Sequence, residues 1–191
     1  MKMDTVTIMS RTSAKTRGAD RRIRKNRAAL RSAFNELMLA KGYEAIRAME
    51  VAERADVGRS TLYLHFNGKA DILAESLTGV LSALADACVQ ERLSARLLAV
   101  TEHFWQNRNV ARSALSGPAR DVVAKRLTEL TEQRLSLPSG RNARTALLAR
   151  SLAHGQLGML EAWLSGRYGL SAGAVARMLH SFSCAAAAAV T

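Results

Sequence analysis

The chain has 191 residues, 48% of them hydrophobic, and a formal net charge of +12. That apolar share supports a packed core and excludes a disordered chain, and the length allows one large domain or two small ones. No run of about 20 apolar residues offers a membrane span, and the opening residues, with Asp4 and no continuous apolar stretch, do not read as a signal peptide; a cytoplasmic protein is expected.

Alanine, leucine and arginine are abundant and only two prolines occur, which favours an all-helical protein. The basic excess is uneven: residues 1–70 hold 15 Lys and Arg against 7 Asp and Glu, whereas residues 71–191 hold 13 against 9. Such a concentration favours a polyanion partner through counterion release, with plain solubility charge as the alternative. A membrane-surface partner fits less well, because the basic N-terminal stretch lacks the broad apolar face of an interfacial helix.

Residues 1–19 are polar and aperiodic, with Arg11, Lys15 and Arg17. They read as a flexible basic arm, which either reaches along DNA or is a plain leader. Asp20 is placed to cap a helix running to about Ala40, with Ile23, Leu30, Phe34, Leu37 and Met38 as its buried stripe. Arg21, Arg22, Arg24, Lys25, Arg27 and Arg31 crowd its first half, where some of them have phosphates within reach. Gly42 should stop the helix, and Tyr43 should pack beneath the next two helices.

Residues 47–69 read as two short helices around a tight turn. The first covers about Ala48–Ala55, with Val51, Ala52 and Ala55 on one face. Asp56-Val57-Gly58 breaks it, since Asp and Gly tolerate turn conformations, and Val57 should plug the angle between the helices. The second starts near Arg59 and ends by Phe66, before the stop pair Asn67-Gly68. Leu62 and Phe66, four apart, face inward. Arg59, Ser60, Thr61, Tyr63, Leu64 and His65 share the rest of the surface, a set rich in donors for phosphates and base edges. This is the pattern of a helix-turn-helix whose second helix enters a DNA major groove.

The segment KGYEAIRAMEVAERADVGRSTLYLHFNGKADIL resembles the DNA-binding domain of the tetracycline-repressor (TetR) family of transcriptional regulators, over about residues 22–75. The specific elements are the K-G-Y link, the V-A-E-R-A helix, and the T-L-Y-x-H-F helix followed by a lysine. The resemblance implies that Thr61, Tyr63 and His65 meet phosphates, with Tyr63 sometimes also reaching bases. It implies that Lys69 clamps a phosphate beside the N-terminus of the next helix. Arg59 and Ser60 match variable positions that commonly read base edges, and Leu64 matches a varying position near the groove. Packing roles for His65, as a cap, and for Tyr63, against a neighbour, are the structural alternatives. Some positions depart from the family pattern. Arg47 stands where a capping threonine is usual, so either the cap is lost, at about 1 kcal/mol, or Arg47 exchanges it for a phosphate contact. Asp56 replaces the usual turn glycine and can still adopt the left-handed conformation. Gly58 replaces a serine cap, and Met49 stands where some relatives have a base-reading arginine.

From Lys69 a long helix should run to about Gln90, keeping Ile72, Leu73, Leu77, Val80, Leu81 and Leu84 at helical spacing, with Gly79 a possible bend. An amphipathic helix over about Leu93–Asn107 carries Leu97, Leu98, Val100 and Phe104. Gly117-Pro118 opens another with Val122, Val123, Leu127 and Leu130, and Leu137-Pro138-Ser139-Gly140 reads as a loop. A long helix over Asn142–Gly166 has a wide apolar face of Leu147, Leu148, Leu152, Gln156, Met159, Leu160 and Trp163, with Gly155 and Gly158 leaving room for a close helix or a ligand. Ser171 should cap the last helix. The segment SLAHGQLGMLEAWLSGRYGLSAGAVARMLHSF resembles the last two helices of many family members, where they pair across a twofold axis in a four-helix bundle. That resemblance implies a homodimer.

No catalytic constellation, glycine-rich phosphate loop or zincin motif is present; no cofactor or metal is expected, and the protein is not expected to be an enzyme. Cys88 and Cys184, far apart, suggest neither pairing nor a metal spacing. The expectation is therefore an all-α chain: an arm over 1–19, a three-helix DNA-binding head over 20–68, and an effector-binding and dimerisation body over 69–191. The implied function is a ligand-responsive repressor that binds a pseudo-palindromic operator as a homodimer. His103, Phe104, Trp105, Met159 and Trp163 are the effector-pocket candidates, with Cys88 possible, and they suit a mostly apolar molecule. An activator or chromosome-organising DNA binder, or a basic helical interaction module, stays open beside it.

Overall fold

The computed structural model describes residues 5–136 and 142–188, with side chains from residue 20 onward. The described residues form nine helices and no strands. The first, α1, covers Thr5–Lys41. It begins well before the expected cap, so Asp20 is an interior helical residue. Nothing within 5–19 stops a helix; Gly18 alone costs about 1 kcal/mol there. Residues 1–4, the start of the expected arm, lie outside the described residues.

The C-terminal half of α1 forms the head with α2 (Ala48–Arg54) and α3 (Arg59–His65). Leu30, Phe34, Leu37 and Met38 are buried on α1, as the helical spacing requires. Ile23 is not: it is 40% exposed, because the head core ends one turn or more below it. Gly42 takes a φ of +74° and releases the chain from α1. Tyr43 then turns inward, its ring edge-on to Phe34 at 6.4 Å between centroids. Between α2 and α3, Asp56 adopts the left-handed conformation at φ +53°, and Val57 packs on the core from the turn.

The body begins with α4 (Lys69–Asp86), four residues shorter than its apolar spacing suggested. It continues through α5 (Ala95–Gln106), capped by Ser94, whose hydroxyl accepts from the Leu97 amide at 3.2 Å. A short helix not foreseen from the sequence, α6 (Arg108–Ala114), follows at once. Then α7 (Gly117–Ser136) packs between α4 and α8 (Ala143–Leu164), and α9 (Ala172–Ala188) closes against α5 and α8. Asn142 and Thr145 form a reciprocal capping box at the start of α8. The expected 137–140 loop lies outside the described residues.

Two contacts fix α8 and α9. A Cβ on Gly155 would stand 2.5 Å from Phe182 Cζ, so the glycine is what lets the helices approach. Gln156 Nε2 donates to the Leu84 carbonyl at 3.0 Å and to Ser183 Oγ at 2.7 Å, joining α8, α4 and α9 through one buried amide. One contiguous apolar cluster runs from Leu30 and Val51 in the head, through Ile72 and Leu73, to Leu160 and Val175 in the body. No helix of the described residues is long and apolar enough to cross a membrane.

Candidate nucleic-acid interface and body cavity

Buried Leu62 and Phe66 hold α3 in place. That anchoring turns Arg59, Ser60, Tyr63 and Leu64 outward as one exposed face. Leu64 is 76% exposed. The Arg59 guanidinium lies 5.7 Å from the Tyr63 ring, one turn along the same face. Thr61 is half-buried at its edge. Gly58 offers no side-chain cap, so the first amides of α3 are open at that end.

The remaining candidates sit differently. Arg47 is exposed at the start of α2 and makes no capping bond, so the cap is indeed lost. Met49 packs against the core and leaves the surface to its neighbours. Lys69 lies under the head: its Nζ donates to the Tyr43 carbonyl at 3.0 Å and the Glu44 carbonyl at 3.1 Å, 4.5 Å from the Tyr43 ring centre. This lysine pins the start of α4 to the link between α1 and α2. His65 is half-buried at a cleft between head and α7, and its Nε2 is buried without a hydrogen-bond partner. On the wall of that cleft, Arg27 pairs with Glu75 and lies over the Phe66 ring at 5.2 Å. Arg21, Arg22, Arg24 and Lys25 are exposed along α1.

In the body, α1, α4, α5, α6 and α7 enclose a cavity of about 290 Å³. His103 and Phe104 line it, as the sequence suggested. Trp105, Met159 and Trp163 do not. Trp163 is buried, its Nε1 donating to the Leu170 carbonyl at 2.9 Å, and Trp105 stacks on it at 5.0 Å. Met159 packs against the same core. Cys88 lies in a separate cluster with Leu152 and Ala187. The cavity wall holds residues the sequence reading missed: Asn35, Met38 and Leu39 from α1, Ser76 and Leu77 from α4, and Asn107. Ser76 was the available signal, a hydroxyl set among Ile72, Leu73, Leu77 and Val80 on an otherwise apolar stripe. Burial pushes the Cys88 thiol up to about 11, so it stays protonated at neutral pH. Among the described residues no group of three His, Cys, Asp or Glu side chains is placed to hold a metal.

A short helix pinned by two buried side chains, presenting arginine, hydroxyls and tyrosine outward beside a basic helix, is the arrangement of a helix-turn-helix head. A family model described as bacterial regulatory proteins, tetR family, matches residues 30–76. The fold is similar to that of a TetR transcriptional regulator from Streptococcus agalactiae 2603V, at 21% identity and a TM-score of 0.57, covering 88% of this chain and 98% of that one. It is also similar to a TetR transcriptional regulator from Rhodococcus sp. RHA1, at 18% identity and a TM-score of 0.55, covering 88% and 97%. No curated protein matches the chain. Residues 30–76 thus match the family's DNA-binding head, and the fold of the described residues is similar to that of these TetR regulators.

Proposed function

We propose that the chain is a ligand-responsive transcriptional repressor that binds a pseudo-palindromic DNA operator as a homodimer and is released by a small-molecule effector in the cytoplasm. The observation that carries the reading is α3, whose exposed face joins Arg59, Ser60, Tyr63 and Leu64 over a fully buried Leu62. In this reading residues 20–68 are the DNA-binding head and residues 69–191 the effector and dimerisation body. Arg59 and Ser60 read base edges, Arg59 having the fork that grips a guanine. Leu64 meets a thymine methyl. Thr61, Tyr63 and Arg47 hold phosphates, as does His65 from the end of the helix. Lys69 spends two donors on carbonyls and keeps a third for a phosphate.

Support for the dimer comes from the outer face of the last two helices. Leu147 and Met178 are exposed there, and a Cβ on Gly158 would meet nothing within 4 Å. A second copy of α8 and α9 covers such a face and sets two α3 helices about one DNA turn apart. The effector enters the 290 Å³ cavity beside His103 and Phe104 and favours a state with misplaced heads; by linkage, DNA weakens effector binding by the same factor.

The test is binding to the chain's own upstream DNA against a scrambled duplex at about 150 mM salt, where specific sites win by on the order of 10³-fold or more. Tyr63→Ala should abolish that preference with the dimer intact. Equal binding to both duplexes, or full affinity in Tyr63→Ala, overturns the assignment of α3.

A further inference from the structure

Six consecutive side chains of α1, Asp20 to Lys25, are exposed. Six residues go more than once round a helix, so α1 stands clear of the head there on every face. It leaves beside α3: Arg27 lies over the ring of Phe66, the residue that ends α3, at 5.2 Å. The N-terminal end of α1 carries charge of one sign. Residues 5–25 hold seven Lys and Arg and one acidic residue, Asp20, a net of +6 out of the chain's +12. A helix that is merely kept in solution mixes signs and sets acids four residues before bases. Here Arg11–Lys15, Arg17–Arg21 and Arg21–Lys25 are like-charge pairs at that spacing, and Asp20–Arg24 is the single opposite pair. None of the ion pairs among the described residues engages Arg21, Arg22, Arg24 or Lys25, whereas Arg27 and Arg31, further along α1, are taken up by Glu75.

We propose that the N-terminal end of α1, over residues 5–25, is a second DNA-binding element. It lies along the phosphates of the duplex that flanks the groove α3 enters, with Arg21, Arg22, Arg24 and Lys25 nearest α3. A helix charged with one sign repels itself, and a polyanion relieves it as the basic side chains replace condensed counterions. This stretch of α1 extends about 30 Å, the length of roughly nine base pairs at about 3.4 Å each. Arginine and lysine on flanking phosphates position a protein and carry no sequence information, so the element adds affinity equally on every duplex. Duplex DNA is the partner rather than lipid, because an interfacial helix needs a broad apolar face and between Asp20 and Lys25 only Ile23 is apolar. Its place beside the groove rests on the reading of α3 as the DNA-reading helix; its charge does not.

The test is fluorescence anisotropy of the full chain on its own upstream duplex and on a scrambled duplex, each across a salt series of about 100–300 mM. One variant combines Arg21→Gln, Arg22→Gln, Arg24→Gln and Lys25→Gln; all four positions are exposed, so its thermal unfolding should not change. Its affinity for both duplexes should fall by the same factor, about tenfold or more, and the slope of log K against log salt should become shallower by about 2–4. Arg21→Lys, Arg22→Lys and Arg24→Lys together keep the charge and should keep the parent's affinity and slope. Unchanged affinity and slope in the glutamine variant, a loss confined to the upstream duplex, or an equal loss in the lysine variant overturns the proposal. So does unchanged DNA binding with weaker binding to phosphatidylglycerol vesicles, which assigns the charge to a lipid surface. The scrambled duplex reports on α1 by itself. A parent chain without sequence preference therefore refutes the reading of α3, while the glutamine variant still decides the role of α1.

Discussion

Lys69→Met isolates the pin between the head and the start of α4. The ammonium donates to two backbone carbonyls, at 3.0 Å and 3.1 Å, and sits 4.5 Å from the Tyr43 ring. A buried hydrogen bond from a charged donor contributes about 1.5–3 kcal/mol. Lys69 is only half-buried, and the freed carbonyls near Glu44 regain water, so each bond contributes well under that range. With about 0.5–1 kcal/mol for a partly exposed cation over a ring, the loss should total about 1–2 kcal/mol. For a chain of this length that lowers the unfolding midpoint by roughly 2–8 °C. Methionine keeps the stem length and removes the charge, so packing along the stem changes little. Urea titration gives the stability, and DNA titrations across a salt series give the second readout. If the third donor holds a phosphate, the slope of log K against log salt should fall by about one, uniformly across sequences. Stability within about 0.3 kcal/mol of the parent refutes the pin. An altered sequence preference at unchanged affinity refutes the phosphate role.

Asp56→Gly should raise stability by about 0.5–1 kcal/mol, because Asp56 holds a left-handed φ of +53° that glycine adopts freely; a loss in urea titration contradicts this. Gly155→Val should cost about 1–3 kcal/mol through overpacking against Phe182, whose Cζ lies 2.5 Å from the new Cβ position. Phe182→Ala should recover part of that loss; strict additivity of the two substitutions refutes the contact. The Cys88 thiol, raised by burial from 9.0 to about 11, sets a limit in alkali. Between those values the unfolded chain has released a proton that the folded chain still holds. Its stabilisation is thus complete below pH 9 and lost as pH rises towards 11, by roughly 2–3 kcal/mol in all. Cys88→Ala should flatten that part of the pH–stability curve, and an unchanged slope refutes the assignment.

The head was legible because its chemistry is local. A glycine stop, a turn residue able to go left-handed, and the Leu62–Phe66 pair each fix a few residues of backbone, and together they place α3. The body was legible as helices but not as a site. Whether Trp105 and Trp163 line a pocket or stack on each other depends on how α5 meets α8, which no spacing within either helix records. The same holds for Asn35 and Leu39, which reach the cavity only because α1 leans across α4. Ile23 misled for the opposite reason: its spacing is correct, but the partner helices stop short of it. His65, on the edge of the same helix as Tyr63, is half-buried with Nε2 unpaired, a placement its spacing within α3 does not record either. Helical spacing gives a residue's angle around its own axis and is silent about what stands opposite.

The single apolar cluster that runs from Leu30 to Val175 ties the lifetime of the head to that of the body. A chain truncated after α3 loses Ile72 and Leu73, both buried against the head, and should collapse rather than persist as a small free DNA binder. A lesion deep in the body, far from α3, then removes the folded protein altogether. It does not leave behind a folded head that binds DNA without its body. Loss-of-function variants scattered through the body should therefore look alike in the cell, as lost DNA binding together with low protein abundance, because unfolded chains are cleared.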